Sequence, residues 1–402
     1  MSASRMLPIA FLTVLSLLTV LGHLYLYRRL VRDTSPAPRW RRVAGGALWG
    51  LGALMLGSAV TARLLPPSGL RPIFFLGWTW MAAAAYLLLT LFLVGGARLL
   101  ARLAQRGRSA PRPGEAASPP AAASEERRQF LARSAAGGAL LVTGGFVGYG
   151  TWRAFQPPVV NRLAVRLPGL PKALDGFTLV QLTDIHVGPL IQRRFMDALV
   201  EQCNALKPDG VCITGDLVDG SVTALAPSVS ALANLRCRYG SYFVTGNHEY
   251  YSGDEEWAEA LERMGITVLR NRHVAVGEPG ASFDMVGVDD WAAQRTGSPR
   301  RYDLDQALAE RDPERASVLL AHQPSNWRVA AQKGIGLQLS GHTHGGQFFP
   351  FTLAVGAMWE HDAGHYEENG RHLYVSRGTG FWGPPVRVAA PPEIVQVTLL
   401  AS

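Results

Sequence analysis

Five short segments carry most of the chemistry that this chain can do. They are Thr183-Asp184-Ile185-His186, Gly215-Asp216-Leu217-Val218-Asp219, Gly246-Asn247-His248-Glu249, Ala321-His322-Gln323 and Gly341-His342-Thr343-His344. Together they supply imidazole nitrogen, carboxylate oxygen and a carboxamide oxygen, a donor set that suits Mn, Fe or Zn better than Mg or Ca. A shared carboxylate such as Asp216 could bridge two such cations, the arrangement in which paired metals about 3.5–4 Å apart hold the attacking and leaving oxygens of a displacement.

The flanking residues explain how these side chains could converge. Phe177–Thr183 precedes Asp184, Gly210–Thr214 precedes Asp216, Tyr242–Thr245 precedes Asn247, Ala316–Ala321 precedes His322 and Ile335–Ser340 precedes His342. Each run is short, apolar and strand-like. Each motif therefore falls where a strand ends, the edge at which open α/β sheets bind ligands. Gly215, Gly246 and Gly341 stand immediately before a candidate ligand, as a sharp turn with close backbone approach requires. Helical runs at Arg194–Leu206, Leu225–Leu235, Glu255–Met264 and Leu304–Arg311 alternate with the strands, and Ile394–Leu400 reads as a closing strand. The alternation predicts an α/β sandwich with helices outside the sheets.

The ordered set D-x-H, G-D-x-x-D, G-N-H-E, H and G-H-T-H resembles the calcineurin-like metallophosphoesterase family over about residues 160–400. The resemblance implies a four-layer sandwich of two mixed sheets flanked by helices. It implies one cation on Asp184, His186, Asp216 and His344, and a second on Asp216, Asn247, His322 and His342. His248 would lie outside both coordination shells, contact the phosphate and assist the leaving group as the catalytic residue, with Asp219 orienting a ligand. The extension Gly341-His-Thr-His-Gly-Gly-Gln347 is similar to the membrane-anchored bacterial YkuE-type subgroup, some relatives of which cleave the pyrophosphate of UDP-2,3-diacylglucosamine. The expected activity is hydrolysis of a phosphate ester or phosphoanhydride. A non-catalytic metal or lipid sensor on the same scaffold is the alternative.

Outside the motifs, His273, His361, His365 and His372 read as surface histidines, Asp289-Asp290 as turn capping and Arg377 as packing or a salt bridge. Cys203, Cys212 and Cys237 read as small core residues without a disulfide framework.

The N-terminal part is of another kind. Residues 1–157 hold 18 Lys and Arg against 4 Asp and Glu, a net of +14, whereas the remainder is −6 within a total of +8. The basic character belongs to the N-terminal part, so a nucleic-acid partner is not expected. Leu7–Tyr27, Val43–Leu65 and Ile73–Leu93 are each close to the ~20 apolar residues that cross hydrocarbon as a helix. The organisation expected is three spans within residues 1–97, a cytoplasmic Pro/Ala/Arg-rich linker at 98–129, a fourth span or signal anchor at 130–150 and the catalytic domain at 158–402. The basic residues lie between spans one and two and between spans three and four, with Arg71 near the intervening turn. The positive-inside rule then puts the catalytic domain on the extracytoplasmic side of the cell membrane. Arg127-Arg128 ahead of Phe130 resembles a twin-arginine export signal placed internally, with the export machinery as the implied partner. A transporter would need ionisable residues within the spans, and these hold almost none beyond His23 and Arg63.

Overall fold

Apolar composition and length make four helices of the first part: α1 (Ala3–Leu26), α2 (Pro38–Thr61), α3 (Arg71–Arg108) and α4 (Glu125–Ala154). The computed structural model describes residues 3–61, 69–108 and 125–401, so the centre of the Pro/Ala linker, Arg63 and the end of the second predicted span lie outside the described residues. All four helices are long and apolar enough to cross a membrane. They exceed the predicted spans where basic ends continue the helix: α1 runs on as a π-helical segment, Tyr27–Arg32, and α3 passes residue 97. The chain divides into two compact units, residues up to 59 with 75–149, and residues 60–74 with 150–402.

Leu26, Leu48, Leu87 and Leu91 form the centre of the first unit. His23 is a packing residue there. Its Nδ1 lies 2.8 Å from the Thr19 carbonyl, and its Nε2 accepts a 3.0 Å bond from Trp80 Nε1. Gly52 faces the same ring, and a Cβ there would stand 2.8 Å from it.

The second unit holds two six-stranded mixed sheets. The strands are β1 (Val159–Leu167), β2 (Phe177–Leu182), β3 (Gly210–Thr214), β4 (Ser241–Val244), β5 (Ile266–Val268), β6 (Arg272–Glu278), β7 (Ala281–Gly287), β8 (Ser317–Leu320), β9 (Leu337–Ser340), β10 (Gly364–Glu368), β11 (Arg371–Val375) and β12 (Glu393–Ala401). One sheet runs β1-β12-β2-β3-β4-β5 and the other β10-β11-β9-β8-β7-β6. In the first, β2, β3, β4 and β5 are parallel; in the second, β7, β8, β9 and β11 are parallel. Leu179, Cys212 and Val244 from the first sheet meet Phe283, Met285, Val318 and Leu339 from the second in one buried cluster. Burying each large apolar side chain there contributes about 1.5–3 kcal/mol. All three cysteines are free, with Cys212 Sγ 4.0 Å from Met285 Sδ in this core.

The helices of this unit are α5 (Arg193–Ala205), α6 (Val222–Val229), α7 (Asn247–Ser252), α8 (Asp254–Arg263), α9 (Ala293–Thr296), α10 (Leu304–Leu308), α11 (Trp327–Gln332) and α12 (Phe351–Met358). Amphipathic α5 and α8 bury one face each, through Met196, Leu199 and Cys203 and through Trp257 and Leu261. In contrast, α12 has no buried residue.

Candidate metal centre

Asp184 follows β2, Asp216 follows β3, Asn247 follows β4, His322 follows β8 and His342 follows β9. Parallel pairing sends these strand ends to one rim. The backbone there is held far from its relaxed forms: Asp184, His186, Asp216, His342 and His344 have φ of 49°, 55°, 48°, 72° and 52°. Non-glycine residues with positive φ are uncommon, and such strain concentrates where function over-determines the geometry. The glycines ahead of them are required by contact. A Cβ on Gly246 would collide with the Asp216 carboxylate and one on Gly341 with that of Asp184, while one on Gly215 would stand 2.9 Å from His322 Nδ1.

The donor atoms gather in groups. Asp184, His186 and His344 form one, and Asp216, His322 and His342 another, with the ligand atoms of each group within 4.8 Å of one another. His344 Nε2 is 3.3 Å from Asp184 Oδ1 and 3.2 Å from His186 Nε2. His322 Nε2 is 3.2 Å from both Asp216 Oδ2 and His342 Nδ1. Asp216 links the groups, because Oδ2 is also 3.8 Å from His186 Nε2. The His248 backbone N–H donates to its Oδ1 at 2.8 Å, which turns Oδ2 toward the imidazoles. Asn247 Oδ1 is buried and has no hydrogen-bond partner. An orphaned carboxamide oxygen among imidazoles and carboxylates fits a divalent cation, since an unsatisfied buried acceptor is otherwise costly.

Electrostatics agree with that fit. Burial, together with neighbouring His322, pushes His342 down to about 3. Burial and the Arg387 charge likewise hold His344 well below the usual imidazole range. Both rings are neutral and ready to ligate. Burial pulls His322 down, but the Asp216 and Asp184 carboxylates outweigh it and hold it well up. Its Nδ1 lies 2.9 Å from the Thr214 carbonyl, which leaves Nε2 directed at Asp216.

His248 belongs to a third group, with His186 and Asp216, and its Nε2 stands 3.9 Å from Asp216 Oδ2. Its Nδ1 contacts Asp219 Oδ1 directly, and the other oxygen of that carboxylate is 3.2 Å from His186 Nδ1. The edges of Tyr251 and Trp382 approach His248 with ring centroids 5.6 and 5.7 Å away, and Trp359 approaches His342 at 5.3 Å.

Two charged residues of the site were not singled out by sequence. Glu249 is fully buried and accepts from the backbone N–H groups of Gly246 (2.6 Å), Leu217 (2.8 Å) and Asp216 (3.0 Å). It fastens the loop after β3 to the turn after β4; burial and the Asp216 charge push its carboxyl up to about 7. Replacing Glu249 with Ala strands several buried donors, a loss of about 3 kcal/mol. The melting midpoint of the full chain should then fall by about 6–12 °C, read by intrinsic fluorescence. An unchanged midpoint would deny Glu249 this role. Arg387 is also fully buried, donating to the carbonyls of Gly380 (3.0 Å) and Arg377 (2.8 Å), with Nη2 3.1 Å from His344 Nδ1. Burial lowers it to about 9.

Of the remaining predicted positions, Asp290 caps the Ala292 N–H at 2.8 Å, and Arg377 pairs with Glu393 at 3.2 Å. Asp289 instead pairs with Arg270 at 2.6 Å. His361 and His372 are buried, contrary to expectation, because Trp327 Nε1 bonds to His361 at 3.2 Å and His365 stacks on His372.

The calcineurin-like phosphoesterase model matches residues 177–346. A transmembrane protein with a metallophosphoesterase domain from Danio rerio is 35% identical over 97% of this chain and 89% of its own length. A protein of the same description from Bos taurus is 38% identical over 65% of this chain and 62% of its own length. The uncharacterized metallophosphoesterase YkuE of Bacillus subtilis is 31% identical over 64% of this chain and 91% of its own.

Proposed function

The chain belongs to the calcineurin-like phosphoesterase family, and on that premise we propose that it is a membrane-anchored hydrolase of phosphate esters or phosphoanhydrides, with a dinuclear centre facing the extracytoplasmic side. The observation that carries the reading is Asp216, one carboxylate set between two groups of buried donors at strained strand ends. Asp184, His186, Asp216 and His344 would hold one divalent ion of Mn, Fe or Zn, and Asp216, Asn247, His322 and His342 the other. When bound, the pair supplies Lewis acidity to a water and to the phosphoryl oxygens.

The chain's own residues do the rest. Glu249 and the glycines fix the ligand loops. Asp219 holds the His248 ring through Nδ1, leaving Nε2 to carry a proton toward the departing oxygen. Tyr251 and Trp382 flank that ring, in position to contact the substrate beside the phosphorus. The substrate would be a lipid-linked or nucleotide-linked phosphoester; the UDP-2,3-diacylglucosamine pyrophosphatase reaction fits less well, since it consumes a cytoplasmic nucleotide sugar.

Turnover of an aryl phosphodiester by the purified full chain with added Mn²⁺, abolished by a chelator and restored by metal, tests the reading. A protein that binds metal yet turns over no phosphoester would be a sensor instead. For the orientation, protease added to intact spheroplasts should degrade the C-terminal domain, and full protection would reverse it. If Arg127-Arg128 addresses the twin-arginine machinery, changing both to Lys should keep the domain inside and protected.

A further inference from the structure

The helix α12 buries no residue although nearly every residue in it is apolar. Phe351, Leu353 and Met358 are 51%, 65% and 79% exposed, and Phe349 and Trp382 beside them 40% and 52%. From Gly345 to Trp359 the chain carries no charged residue. A contiguous apolar patch of this kind marks a contact surface.

Three observations say what it contacts. First, the segment grows directly out of the metal loop, a few residues after His344. Second, a hydrogen-bonded path joins it to the end of the fourth apolar helix: Phe349 N–H donates to the Val388 carbonyl at 3.0 Å, Val388 N–H to the Gln347 carbonyl at 3.3 Å, and Arg387 N–H to the Gly150 carbonyl of α4 at 2.9 Å. Phe155, just beyond α4, meets Phe381 edge-on at 5.2 Å. Third, aromatic rings border the patch, as at membrane interfaces. Gln347 keeps the two segments together, since its Nε2 donates to the carbonyls of Trp382 and Pro384 at 3.0 and 2.9 Å.

We infer that the Phe349–Met358 segment seats in the interface of the bilayer that its own α4 crosses, so that the adjacent metal centre meets phosphoesters carried on membrane lipids. The substrate half rests on the hydrolase reading, and the insertion half does not. Apolar helices lying in the headgroup region bind through such buried area.

The test uses the full chain reconstituted in phosphatidylcholine vesicles. With Cys237→Ser and Leu353→Cys, an environment-sensitive fluorophore at 353 should shift its emission to the blue and be quenched by doxyl-labelled phosphatidylcholine. The same label at Glu259→Cys on α8 should do neither. A water-like, unquenched label at 353 overturns the insertion, and so does a blue shift without lipid quenching, which would show another protein surface as the occupant. In the variant carrying Leu353→Asp and Met358→Asp, turnover of the soluble aryl phosphodiester should persist. Turnover of phosphatidic acid embedded in the vesicles should fall about tenfold. Equal retention of both activities, or equal loss of both, overturns the substrate half. A wild-type chain inactive on both probes would refute the hydrolase reading while the quenching result still stood.

Discussion

Asp216→Asn should strip the centre of metal and reduce turnover by about 10²–10⁴-fold. Asp216 is 2% exposed, and its Oδ2 faces the Nε2 atoms of His322, His186 and His248 at 3.2, 3.8 and 3.9 Å. Burial acts to raise its pKa, yet His322 and His248 overcome it and hold the carboxyl well below its usual range. The negative charge is therefore the counterweight for the His322 and His248 imidazoles. Breaking a buried charge contact by removing one partner costs about 3–5 kcal/mol, which is about 10²–10⁴ in an affinity or a rate. The substitution is nearly isosteric and leaves Oδ1 able to accept the His248 N–H, so the loop should keep its form. Elemental analysis should find both ions depleted together, because Oδ2 faces His322 of one group and His186 of the other. Two ions bound per chain with undiminished turnover would remove Asp216 from the bridging position.

How much of this was visible beforehand follows from the packing. β2, β3, β4, β8 and β9 are buried almost throughout by the opposing sheet and the outer helices, so each reads as a mainly apolar run, broken by Gln181 in β2 and Gln338 in β9, that ends at a candidate ligand. The strands β1, β6 and β10 lie at sheet edges, and their residues Asn161-Arg162, Arg272-His273 and Glu367-Glu368 interrupt the pattern. The role of Glu249, though it stands inside a motif, and the presence of Arg387 at the site were hidden for a different reason. Each is a buried ionisable group satisfied by backbone groups of the surrounding loops, and a sequence displays the side chain without the carbonyls or N–H groups that surround it. The buried state of His361 had the same cause, its partner Trp327 lying 34 residues away.

His248→Ala should leave both ions bound and lower kcat by about 10²–10⁴-fold, the range expected for loss of a positioned proton donor. The geometry permits a rival role, since His248 stands with His186 and Asp216 in a group able to hold an ion. Two contacts argue for the proton. Nδ1 is taken by the Asp219 carboxylate, the pairing that orients an imidazole, and the edges of Tyr251 and Trp382, both about half exposed, approach the ring where a substrate would enter. Asp219→Asn separates the roles further. That carboxylate serves His186 as well, at 3.2 Å, so its loss should weaken metal affinity by about 10–100-fold and also slow turnover at saturating metal. In the double variant the kcat loss should be close to that of His248→Ala alone, because Asp219 acts on the proton through the ring already removed. Titration with Mn²⁺ followed by turnover at saturation reads the two effects apart. Loss of an ion from His248→Ala would place the ring among the ligands, and the leaving group would then need another source for its proton.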